Sequence, residues 1–189
     1  MIDTHSHIYE PEFDADREEV ISRARQAGVE QILLPNINTG SIRPMLDLCR
    51  RHPGYCFPML GLHPTDVNPS TFRQELAGMK ALLEAPDHPY IAVGEVGLDY
   101  YWDNSNAKEQ EEAFRTQIEW SIAYRLPLMI HSRSAHSQLV QAIAEYQGEP
   151  LTGVFHCFGG TAEEAQELLQ FPGFMLGIGG QQVAGLHGQ

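Results

Sequence analysis

Apolar positions along the chain fall into two alternating patterns: short near-continuous runs, and longer stretches with an apolar residue every third or fourth place. Runs of about four to eight apolar residues suit strands covered on both faces, and a period of about 3.6 residues suits helices with one buried face. On this reading Ile2–His7 is the first strand, Phe13–Ala27 a helix stopped by Gly28, and Gln31–Pro35 the second strand. The alternation continues with helix Ser41–His52, strand Cys56–Leu62, helix Ser70–Glu84 and strand Tyr90–Glu95. Helix Lys108–Tyr124, strand Leu126–His131, helix Ser134–Tyr146, strand Thr152–Cys157, helix Ala162–Leu169 and strand Phe174–Ile178 complete it.

Strands separated by single helices predict a parallel sheet covered by helices, either a β/α barrel or an open doubly wound sheet. The open sheet normally carries a Gly-rich phosphate turn after its first strand. His5-Ser-His7 stands there instead, which favours a TIM-type β/α barrel of seven strands. No linker or low-complexity tract divides the chain, so residues 1–189 are expected to form one domain.

Composition narrows the function. A formal charge of −13 excludes a broad basic surface for gripping duplex, although not a nucleic acid held through metal ions. No apolar run approaches the roughly 18 or more residues of a membrane span. Met1 leads straight into a strand, with no room for a signal peptide, so a cytoplasmic location is expected. Cys49, Cys56 and Cys157 form no C-x-x-C pair and suit reduced thiols.

The chemistry gathers where strands end. His5 and His7 close the first, His63 follows the third, Glu95 the fourth, His131 the fifth and His156 the sixth. Carboxyl ends of barrel strands open on one face, so these residues should converge, and imidazoles around a carboxylate make a metal site. His52, His88, His136 and His187 lie off the strand ends and read as surface or structural. Ser134 is placed to cap the helix after strand five.

His5-Ser-His7, Gly94-Glu-Val-Gly-Leu-Asp99-Tyr100, Ile130-His-Ser-Arg133 and His156-Cys-Phe-Gly-Gly160, with Gly61-Leu-His-Pro64, resemble the signature blocks of the TatD family of metal-dependent hydrolases and deoxyribonucleases, in the amidohydrolase superfamily. The likeness runs from Met1 to about Gly180. It implies a metal-dependent barrel that cleaves phosphodiester bonds at DNA 3′ or 5′ ends. It further implies two divalent ions (Zn, Mn or Mg), one held by His5, His7 and Glu95 and the other by Glu95, His131 and His156. Glu95, His63 and Arg133 become the catalytic candidates, with His63 and Arg133 facing the phosphate. Asp99 would orient a ligand imidazole, and Tyr100, Tyr101 and Trp102 could stack on a base.

The resemblance stops at the C-terminus. The family pattern goes on to an eighth strand ending in a Glu-Thr-Asp-like block whose Asp is a metal ligand and proton acceptor, whereas no Asp follows Asp103 here. The expectation is an incomplete barrel lacking its eighth strand and final helices, poorly stable alone and weak in turnover. A completing partner segment, or self-association through open sheet edges, would restore it. A hydrolase of small esters or amides, and an inactive remnant, remain as alternatives.

Overall fold

The computed structural model describes residues 1–102 and 104–179. Strands and helices alternate along it in the order β1 (Ile2–Asp3), α1 (Arg17–Gln26), β2 (Gln31–Leu34), α2 (Ile42–Arg51), β3 (Cys56–Pro58), α3 (Phe72–Leu83) and β4 (Val93–Asp99). Then come α4 (Ala107–Tyr124), β5 (Leu128–Arg133), α5 (His136–Ala144), β6 (Gly153–Phe155), α6 (Ala162–Leu168) and β7 (Phe174–Leu176). Every strand pairs in parallel with its neighbour in the chain, β1–β2–β3 and β4–β5–β6–β7. A parallel bridge between Leu60 and Val93 joins the two groups. This strand order is that of a β/α-barrel wall.

Side-chain alternation sorts the core into two clusters. Ile32 and Leu34 of β2, Leu128 and Ile130 of β5 and Phe155 of β6 belong to the large cluster, which includes helix residues such as Met45, Phe72, Phe114 and Leu139. The residues between them on the strands, Leu33, Met129 and Val154, meet Met59 and Ala92 in a second, smaller cluster. That inner face leads to the site. Counting by twos from Met129 along β5 reaches His131 and then Arg133, and from Val154 past the end of β6 reaches His156, whose N–H still bonds Ile130 O at 2.8 Å.

Two elements differ from the sequence reading in ways that matter. The first strand is only two residues long, because the Asp3 carboxylate accepts the His5 N–H at 3.1 Å and the chain leaves the ladder there. β4 begins later than expected and continues beyond Glu95 to Asp99, buried throughout. Its register against β5 shifts between Gly94 and Val96, making Glu95 the extra residue of a bulge. Bulges re-aim side chains, and this one turns Glu95 into the barrel mouth.

Helix ends follow local rules. Gly28, at φ 85°, receives the end of α1, and Thr161 and Glu164 form a reciprocal capping box at the start of α6. The expected Ser134 cap is not made: Ala135 takes the N-cap place of α5 without a side-chain bond, and Ser134 sits at φ 55°, where its backbone turns between β5 and α5. Burial pushes the Cys49 and Cys56 thiols up, to about 12 and about 11, while Cys157 is exposed; none of the three is in a disulfide. No helix among the described residues is long and apolar enough to cross a membrane. His187, expected at the surface, lies outside the described residues.

Candidate metal centre

Glu95 is the centre of the site, only 3% exposed. Its Oε2 lies 3.1 Å from His5 Nε2 and 3.2 Å from His7 Nε2. Its Oε1 lies 3.2 Å from His131 Nδ1 and 3.6 Å from His63 Nε2. His156 joins from the other side of His5, its ring stacked on the His5 ring with centroids 3.3 Å apart. Arg133 stands at the rim, its guanidinium carbon 3.7 Å above the Tyr101 ring rather than against Glu95. Residues from β1, β3, β4, β5 and β6 ends, 151 positions apart between His5 and His156, are thus brought together.

Hydrogen-bond partners settle which imidazole nitrogens are available. The Tyr9 hydroxyl gives its proton to Pro35 O at 2.6 Å, so toward His7 Nδ1, 2.9 Å away, it acts as acceptor. His7 therefore carries its proton on Nδ1 and turns a bare Nε2 lone pair to Glu95. His131 has the nitrogens exchanged: Asp99 Oδ2 accepts from Nε2 at 2.9 Å, so in the neutral ring Nδ1 has its lone pair toward Glu95. This is the orienting contact expected of Asp99.

His63 is different. Its Nδ1 accepts the Thr65 N–H at 3.2 Å, so the neutral ring carries its proton on Nε2, the nitrogen that faces Glu95. Although His63, Glu95 and His131 lie close enough to share an ion, His63 in this tautomer offers a proton and not a lone pair.

Electrostatics agree with a site built around a fixed carboxylate. Burial, the largest single influence, pushes the Glu95 carboxyl up, but the imidazoles of His131, His5, His63 and His7 around it together outweigh burial and hold it well below the ordinary range. Burial pushes His131 down, yet the Glu95 and Asp99 carboxylates raise it overall. For His156 burial, aided by neighbouring His5, outweighs the pull of the Glu95 charge and pushes it down to about 4, so it stays neutral as a donor. Burial likewise raises the Tyr9 hydroxyl, which stays protonated.

The donor set fits a divalent cation. His5 Nε2, His7 Nε2 and Glu95 Oε2 face one point, the two nitrogens only 3.0 Å apart. One shared proton can satisfy two such atoms at most, whereas a cation satisfies all three lone pairs together.

Sequence reasoning missed Asn36, which holds Glu95 in place. Asn36 is fully buried; its side-chain amide donates to Asn38 O at 3.0 Å and Gly61 O at 2.8 Å, and accepts from Ser41 Oγ at 2.7 Å. Its backbone N–H bonds Gly94 O and its carbonyl accepts the Glu95 N–H, both at 3.0 Å. A polar residue ending an apolar strand run was the available signal, but amide side chains do not suggest metal ligation. Replacing Asn36 by Leu is expected to cost about 1–3 kcal/mol, because Gly61 O and Ser41 Oγ lose a buried partner. A urea midpoint equal to that of the parent chain would contradict the assignment.

The sequence matches the TatD related DNase family over residues 2–184. The chain belongs to that family. It is 35% identical over 180 residues to YabD of Bacillus subtilis, named an uncharacterized metal-dependent hydrolase, covering 95% of this chain and 69% of that protein. It is 36% identical over 181 residues to a 3′-5′ ssDNA/RNA exonuclease TatD of Cronobacter turicensis, covering 95% of this chain and 66% of the other. Among solved structures, the TatD homologue YJJV of Escherichia coli superposes with a TM-score of 0.81 at 32% identity, over 96% of this chain and 68% of that one. The chain therefore spans about two thirds of the length of these TatD relatives. It is an α/β protein of the TIM-barrel type and a member of a family of metal-dependent hydrolases that act on phosphodiester bonds.

Proposed function

We propose that this chain, as a single domain, uses two divalent ions to hydrolyse phosphodiester bonds at the 3′ ends of single-stranded DNA or RNA. The observation that carries the reading is the convergence of His5, His7, His63 and His131 on the buried Glu95 carboxylate. His5, His7 and Glu95 would hold one ion, and Glu95, His131 and His156 the other. When bound, the ions supply positive charge for a phosphate and acidify an attacking water. The mixed nitrogen and oxygen donor set suits Zn or Mn, with Mg held more weakly.

The protein's own residues do the positioning. Tyr9 and Asp99 keep His7 and His131 in their lone-pair tautomers toward Glu95. His63, with its proton on the inward nitrogen, hydrogen-bonds a phosphate oxygen or protonates the leaving oxygen. Arg133 at the rim draws in the phosphate chain. The exonuclease names of several relatives support single strands and the 3′ end as substrate. With Mn²⁺ added, the chain is expected to shorten a 5′-labelled single strand one nucleotide at a time, and EDTA is expected to abolish the ladder. A folded, metal-loaded chain that leaves the strand intact would overturn the proposal.

A further inference from the structure

The loop after β4 exposes two large aromatics, Tyr101 at 56% and Trp102 at 72%. Their rings meet edge to face, centroids 4.9 Å apart at 88°. Arg133 lies over both, 3.7 Å from the Tyr101 centroid and 5.2 Å from that of Trp102. Among the described residues no carboxylate is paired with this guanidinium. The group is also built into the site. Asp99 accepts the Tyr101 N–H at 3.0 Å through Oδ1 while Oδ2 holds His131, and the Tyr100 N–H bonds Arg133 O at 2.9 Å. Alongside opens a cavity of about 690 Å³ lined by His131, Arg133, His156 and Phe158, within the range of ligand sites.

Exposed aromatics anchored next to a phosphate-hydrolysing centre match the chemistry of base stacking, which tolerates any base because each has a π-face. A guanidinium held over the rings adds charge for the backbone. We propose that Trp102, Tyr101 and Arg133 form a nucleotide subsite: an unpaired base stacks on Trp102 while Arg133 grips the phosphate beside it. The inference rests on the phosphodiesterase reading of the neighbouring centre. In a duplex the base faces are covered by their neighbours, so the subsite selects single strands.

The test uses the full chain in EDTA, where no strand is cleaved, with a fluorescein-labelled pentathymidylate and an abasic deoxyribose-phosphate pentamer of equal charge. Anisotropy is expected to show pentathymidylate binding about tenfold tighter than the abasic pentamer, the size of one base–aromatic stack. Trp102→Leu is expected to remove that difference and Trp102→Phe to retain it. Arg133→Met is expected to weaken both ligands. Because Trp120 is buried at 4%, quenching of tryptophan emission by the unlabelled pentathymidylate reports Trp102. Equal affinity for the two pentamers, or an unaltered Trp102→Leu variant, would overturn the subsite. Base-dependent quenching in a chain that cleaves nothing with Mn²⁺ would support the subsite while removing the hydrolytic reading.

Discussion

Glu95→Gln is expected to lower the rate of strand cleavage on the order of 10³-fold, the effect of losing several kcal/mol of charge stabilisation at a metal centre. Glu95 is the carboxylate that His5, His7, His63 and His131 all face, and both of its oxygens are engaged. An amide of the same shape keeps the volume but gives up the negative charge and one acceptor. The neutral site would then hold divalent ions much more weakly. Metal content after gel filtration, measured beside cleavage of a labelled strand, checks both consequences, and circular dichroism confirms that the variant is folded. A Gln variant within tenfold of the parent rate, with metal retained, would remove Glu95 from the centre.

Gly97→Ala carries the second large effect, this time through the backbone. Gly97 lies at φ 137°, a conformation that side-chain-bearing residues rarely adopt, and a Cβ there would stand 2.0 Å from His131 O and 3.0 Å from His131 C. Neither of those atoms is the end of a flexible side chain, so β4 and β5 must separate or His131 must move. Overpacking of about 1–3 kcal/mol and local strain of about 1–3 kcal/mol together give about 2–6 kcal/mol. That is a large part of a usual margin of about 5–15 kcal/mol. Urea unfolding with an unchanged slope and a lower midpoint is the expected result, together with weaker binding of the ion that His131 would hold. A loss below about 0.5 kcal/mol, the size of a neutral surface change, would show that the strands have room the structure does not display.

Much of this was legible in the sequence, for reasons particular elements make plain. Buried parallel strands such as Gln31–Leu34 and Leu128–Ile130 read as apolar runs because helices cover one face and the barrel interior the other. His5, His7, His63, His131 and His156 stood out because imidazoles recur where strands stop. The fourth strand was ended too early, at Glu95: Gly97 resembles a turn residue, yet it serves close approach, a Cβ there falling 2.0 Å from His131 O. Asn36 stood out only as a polar residue after an apolar run, and its role was hidden because its partners Gly61 and Gly94 are distant in the chain and meet it only after folding. The difference between His63 and the other imidazoles was equally hidden, since it depends on the Thr65 N–H presented by the short turn Pro64–Asp66.

The Leu60–Val93 bridge that joins the two strand groups divides the ligands as well. Of the proposed ligands, His5 and His7 come from the first half of the chain and Glu95, His131 and His156 from the second, so the cage of His5, His7 and Glu95 is complete only when the halves meet. The Asn36 peptide reaches across that seam to the Gly94–Glu95 backbone. Any breathing motion that parts the halves would empty the cage at once, and a bound cation would act as a rivet between them. Nicking the polypeptide between α3 and β4 should yield fragments of which neither holds the ion of His5, His7 and Glu95, that ion returning only on reassociation.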